Sequence, residues 1–236
     1  MSNLLNTLLI ILMLLITSNA SSQNIELGIH YGYSLYFGDL TPSGSKFSFT
    51  RGRSVYGYSL GYGNEKGTIY VSYNRTILSA DDKNATSGGR VSRNLNFETN
   101  ITEWGVGTEL NLLSTLLKKN TRLQPTISFG INVFSFNPLT KIGDSLIELR
   151  PLTIEDKTYS LTQINIPLGV GVRYNGFDRL WVGAGLRARI TFTDYIDDVS
   201  LRGNSDKNDW YMISYITVGY NLYTIKKNCI ICPFEY

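Results

Sequence analysis

The chain has 236 residues, with Tyr 16, Phe 10 and Gly 22, only 17% charged residues and a formal net charge of +3. A charge that small gives no reason to invoke nucleic acid or an anionic surface as a partner. Beyond residue 20 there is no run of about 20 apolar residues, so a helical membrane span is excluded there as well.

Residues Leu8 to Thr17 form an apolar core, followed by Ser18, Asn19 and Ala20 with small residues where a signal peptidase cleaves. We therefore expect a signal peptide over 1–20 and one domain over 21–236, although no Lys or Arg precedes Lys46 to form a basic n-region. From Leu27 to Phe37 every odd residue is large and apolar, while Gly28, His30, Gly32, Ser34 and Tyr36 lie between them. Period two marks a strand.

The same inversion, with a greasy face opposite a small and polar one, recurs along the chain. A long loop from Gly38 to Arg53 leads to a strand with Tyr56, Tyr58, Leu60 and Tyr62 on one face, then a tight turn from Asn64 to Gly67. The third strand turns Ile69, Val71, Tyr73 and Ile77 outward, interrupted by Arg75, and a loop is expected from Leu78 to Phe97. Glu103 to Leu112 sets Trp104, Val106, Leu110 and Leu112 against Glu103, Gly105, Gly107, Glu109 and Asn111. A connector over 113–122 precedes a strand with Ile127, Phe129, Ile131 and Val133, and the longest loop is expected over about 134–161. Gln163 to Tyr174 alternates cleanly, Asn175-Gly176 marks a hairpin, and the last two strands turn Leu180 to Phe192 and Trp210 to Leu222 outward by parity.

Segments of this length and rhythm predict an all-β fold: a transmembrane antiparallel up-and-down β-barrel of about eight strands in the bacterial outer membrane. Its apolar face would meet outer-membrane lipid and its polar face a closed lumen. A soluble sandwich uses the same alternation, but such strands rarely run this long with so many glycines and charges on the second face.

Parity also names the lumen. Glu26, His30, Glu103, Glu109, Arg173, Arg187 and Arg189 point inward, and their acids and arginines balance. An eight-strand barrel is just wide enough for side chains to fill, so these residues read as a charge network that plugs it. His30 is the only histidine and no Gly-x-Ser-x-Gly nucleophile motif is present, which argues against an enzyme. No cofactor or metal site is expected. Cys229 and Cys232 form a Cys-x-x-Cys in a short periplasmic C-terminal tail with no thioredoxin-like unit around it, so a disulfide, local or to a partner, is the expected state.

Four short segments fall at the loop mouths: Phe37-Gly38-Asp39-Leu40, Phe136-Asn137-Pro138, Arg150-Pro151-Leu152 and the run from Thr191 to Ser200. Together they resemble the PorG family, small outer-membrane barrels of the type IX secretion system. The likeness spans nearly the whole chain after residue 20, and residues 193–200, Thr-Asp-Tyr-Ile-Asp-Asp-Val-Ser, are its most specific part. The resemblance implies a non-enzymatic subunit of a protein secretion machine. It would associate with a periplasmic ring of a lipoprotein and a soluble partner. Within the specific run, Asp194, Tyr195, Asp197 and Asp198 are the candidate partner contact. The alternative is a small outer-membrane barrel enzyme or a small-molecule channel.

Overall fold

The computed structural model describes residues 23–38, 52–81, 95–119, 121–142, 159–197 and 208–225. Among them, eight strands form one closed antiparallel barrel in chain order. They are β1 (Gln23–Phe37), β2 (Arg53–Asn64), β3 (Gly67–Asp81), β4 (Leu95–Asn111), β5 (Leu123–Ile142), β6 (Thr162–Tyr174), β7 (Leu180–Thr191) and β8 (Trp210–Ile225). β1 pairs with β8 from Gln23↔Ile225 to Phe37↔Trp210, with one register shift at Ile25/Glu26. Closure satisfies the backbone groups of the first and last strands, which is what allows a sheet to sit in lipid.

The expected faces are the observed ones. Ile29, Trp104, Ile131, Val170 and Ile216 are more than half exposed on the outside. Aromatic residues gather there in pairs: Tyr73 lies 4.8 Å from Trp104 and Phe37 stacks on Trp210 at 4.1 Å. Arg75 is exposed on this face with Tyr56 and Thr102 as its register neighbours, where a long stem can carry its charge toward the headgroups. No helix among the described residues is long and apolar enough to cross a membrane. The molecule crosses with strands.

The wall is taller on one side than the alternation predicts. β3 runs on to Asp81, β4 begins at Leu95 rather than near Glu103, and β5 continues to Ile142. β4 and β5 stay paired from Asn111↔Thr126 to Leu95↔Ile142, whereas β6 joins β5 only up to Ser135↔Thr162. The expected loops over 78–97 and 134–161 are therefore shorter. Above the lipid band both faces of a strand meet polar surroundings, so Glu98, Asn100 and Asn137 replace the outward apolar residues and the pattern fades before the strand ends.

The connector after β4 holds a short helix, α1 (Leu112–Leu116). It is latched to the β2–β3 turn: Asn111 N–H and Thr115 Oγ1 both donate to the Lys66 carbonyl, at 2.8 and 3.0 Å. Its end is a left-handed residue, Lys118 at φ 52°, which lets the Leu117 and Lys119 amides both reach the Leu113 carbonyl.

Candidate functional site

Both chain ends of the barrel and the connections between β2 and β3, β4 and β5, and β6 and β7 lie at one end, called here the turn end. The longer connections lie at the loop end. Short turns face the periplasm in outer-membrane barrels.

At the turn end a polar vestibule of about 560 Å³ opens into the lumen, lined among others by Asn24, Glu65, Asn111, Arg122, Phe177, Asp178 and Asn221. At the wall of this vestibule Arg173 forks onto Glu26, with Nη2 to Oε2 at 2.6 Å and Nη1 to Oε1 at 3.1 Å, and its Nε donates to Asn175. The guanidinium also lies 3.8 Å from the centre of the Trp181 ring. A Cβ on Gly219 would come within 2.0 Å of that indole, so only glycine leaves room for the shelf on which Arg173 rests. Glu109 then links Arg173, at 3.9 Å, to Arg187, at 3.5 Å, and Arg187 lies over Tyr215.

Midway, the interior is completely closed to solvent. Glu103 is 0% exposed and gathers Arg189 Nε at 3.3 Å, Asn165 Nδ2 at 2.9 Å and the Tyr211 hydroxyl at 2.5 Å. Asn132 bridges to Asn165 Oδ1 at 3.0 Å. A buried carboxylate is tolerable only with such a shell, because an uncompensated charge in a dry lumen costs several kcal/mol.

Toward the loop end the lumen changes character and becomes an apolar core. Val55, Leu78, Phe97, Ile101, Phe134, Phe136 and Ile213 pack there with Ile196, which is fully buried. Ile196 belongs to the segment after β7, so that segment folds back into the mouth. Tyr36 holds it, its hydroxyl shared between Asp197 Oδ2 at 2.8 Å and Asp209 Oδ1 at 2.5 Å. Asp209 Oδ2 accepts the Ile196 amide at 3.0 Å, and Thr191 Oγ1 donates to the Asp209 carbonyl. At the edge of this core Tyr195 stacks on Tyr159 at 4.5 Å and Tyr159 on Phe136 at 6.2 Å.

The structure thus brings Glu26, Glu103, Glu109, Arg173, Arg187 and Arg189 together as ion pairs in the lumen. His30 makes none of these ion pairs and instead hydrogen-bonds Thr217, Nδ1 to Oγ1 at 2.7 Å, with its ring edge against Tyr215. Of the residues expected to form the partner contact, Asp194 is 8% and Asp197 0% exposed, flanking the buried Ile196, and Tyr195 is half-buried against Tyr159. Asp198, Cys229 and Cys232 lie outside the described residues, as does the expected signal peptide.

Sequence reasoning missed Trp181, Tyr211 and Tyr215, although parity marks them. Each sits between two outward residues of its strand, and only their bulk disguised them as wall rather than lumen. Asp209 has no such signal, since it precedes the first residue of β8.

No curated protein matches the chain. Among solved structures, neisserial surface protein A is 12% identical and superposes with a TM-score of 0.51, covering 86% of this chain and 99% of its own. That is a likeness of fold, an outer-membrane barrel. The outer membrane protein OprG from Pseudomonas aeruginosa, 11% identical, gives a TM-score of 0.46 over 84% of this chain and 97% of its own. The model of one sequence family, the domain of unknown function DUF6089, matches residues 5–233, and a match over nearly the whole barrel means that the chain belongs to this family.

Proposed function

We propose that this barrel is a non-enzymatic outer-membrane subunit of a protein secretion machine of the type IX kind. It attaches through its periplasmic end to a ring formed by a lipoprotein and a soluble partner. The observation that carries this reading is the filled lumen. With Glu103, Asn165, Tyr211, Phe134 and Ile196 at 0% exposure or barely above it, the described interior offers no passage for cargo, and surfaces are what remain for function. The likeness of residues 193–200 to PorG-type barrels supplies the secretion role, since a fold alone supplies none.

Residues 193–197 lie at the other end of the barrel, out of reach of a partner in the periplasm. The contact is therefore assigned to the turn end, around Glu65, Arg122 and Asp178. Each of these positions, changed to a photo-crosslinking residue in the native envelope, is expected to capture one lipoprotein, and deletion of the barrel is expected to stop export of the machine's cargo. Unchanged export after deletion, with no adduct from any of the three positions, would refute the proposal.

A further inference from the structure

The wall that meets lipid is not equally tall all round. Its outward residues run from Leu123 to Val133 on β5 and from Trp210 to Leu222 on β8, a rise of about 25–30 Å along the barrel axis for strands tilted by about 40°. On β4 they run only from Trp104 to Leu110, a rise of about 15 Å, against an apolar band about 25 Å tall in outer-membrane barrels. The shortfall lies at the turn end. Trp104 pairs with Val133 and Leu110 with Ile127, but β5 goes on to Leu123 with no β4 residue beside it.

That place is taken by α1, which follows β4 directly and packs against β5. A helix about 10 Å wide makes up the missing height. Ser114, 4% exposed, and Thr115, bonded to the Lys66 carbonyl, turn one side of α1 to the barrel. Leu112, Leu113, Leu116 and Leu117 share the other side. Leu116 at 71% and Leu117 at 67% are more exposed than any other large apolar residue described, Trp104 on the lipid face included. Directly after them the left-handed turn at Lys118 sets two cations, Lys118 and Lys119, that are exposed and have no carboxylate partner among the described residues.

We infer that α1 is an interfacial anchor: its leucines sit in the periplasmic leaflet of the outer membrane, and Lys118 and Lys119 hold the phosphate of an anionic phospholipid there. Two features select lipid as the occupant. The leucine side prolongs the lipid-facing wall between Leu110 and Leu123, and a leucine side that ends in lysines is the pattern of helices lying in the headgroup boundary. The two cations give an anionic headgroup the advantage over a zwitterionic one. The inference needs only the barrel and its orientation, and it stands or falls apart from the secretion role.

Leu116→Cys, in the full chain with Cys229→Ser and Cys232→Ser, carries the environment-sensitive dye NBD, and Asp178→Cys, at the same end but bordering the vestibule, is the reference. Both positions are exposed, and only protein that stays heat-modifiable is measured. In vesicles of phosphatidylcholine with about three parts in ten phosphatidylglycerol, the dye at 116 is expected to emit at shorter wavelength than the dye at 178 and to be at least about fivefold less open to acrylamide. Lipids with a doxyl group high on the acyl chain should quench it. Doxyl phosphatidylglycerol should do so at least about twofold more than doxyl phosphatidylcholine, a preference that Lys118→Gln with Lys119→Gln, or about 0.5 M salt, removes. Water-like emission at 116 with acrylamide access equal to position 178 would overturn the anchor. Equal quenching by the two lipids would overturn the choice of an anionic headgroup. A dye shielded in native outer membranes but not in vesicles of lipid alone would overturn lipid as the occupant and assign the leucines to a protein partner.

Discussion

Replacing Arg189 by Leu removes the one cation that pairs with Glu103 among the described residues, a carboxylate with 0% exposure. At 3.3 Å and an effective dielectric constant of about 20, the pair is attracted by about 5 kcal/mol. Tyr211, Asn165 and Asn132 remain as neutral donors, so the carboxylate is not abandoned, and a loss of about 3–5 kcal/mol is expected. Arg187→Leu should cost less, since Glu109 is 15% exposed in its side chain, pairs at 3.5 Å and keeps Arg173 as a second cation. Removing both partners, Arg189→Leu with Glu103→Leu, leaves no charge behind and should recover at least about 2 kcal/mol against the sum of the single changes. Urea unfolding in phospholipid vesicles, read by heat-modifiable gel mobility, measures wild type, the three single changes (Arg189→Leu, Arg187→Leu and Glu103→Leu) and the double change. Additive single changes, or a cost below about 1 kcal/mol for Arg189→Leu, would refute the view that the lumen is held by charge pairing rather than by packing.

Two further outcomes are expected. Tyr36→Phe removes the hydroxyl shared by Asp197 and Asp209, and because hydrogen bonds to charged groups contribute about 1.5–3 kcal/mol, the segment over 193–197 should become cleavable by protease on intact cells while the barrel stays inserted. Protection equal to wild type would show that Ile196 alone holds the mouth. Gly219→Val drives a side chain into the Trp181 ring and should lower stability by about 1–3 kcal/mol in the same urea assay, with red-shifted Trp181 emission; a wild-type midpoint and spectrum would mean that the indole has room to move.

The strands and their facing were legible because lipid enforces period two more strictly than water does. Within the bilayer most outward positions are apolar, Arg75 being an exception, so Leu27, Ile29 and Tyr31 fix the parity that turns Glu26 and His30 inward, and the same logic finds Arg187 and Arg189. Partners were beyond reach. Nothing in the spacing says that Arg173 spans the lumen to Glu26 while Arg189 selects Glu103, since that depends on the stagger of strands around the barrel. The packing of the mouth was out of reach for a related reason: residues 193–197 are mostly polar, and their burial depends on Tyr36 and Asp209, which satisfy them from inside. Ile196 was the available clue, a single apolar residue whose burial sets the direction of its acidic neighbours.

The seam between β1 and β8 ties function to the way this protein is made. Its fifteen paired positions join the two ends of the barrel sequence, and the Phe37–Trp210 stack caps it at the loop end. Until Ile225 has been delivered, β1 has only one neighbour and presents a row of unpaired amides and carbonyls, the kind of edge on which chains aggregate. The described wall closes only when β8 meets β1, so each molecule must bring its last strand to the membrane before its wall is safe in lipid. A nonsense change anywhere before β8 should therefore yield a chain cleared by periplasmic proteases rather than a smaller, partly working barrel.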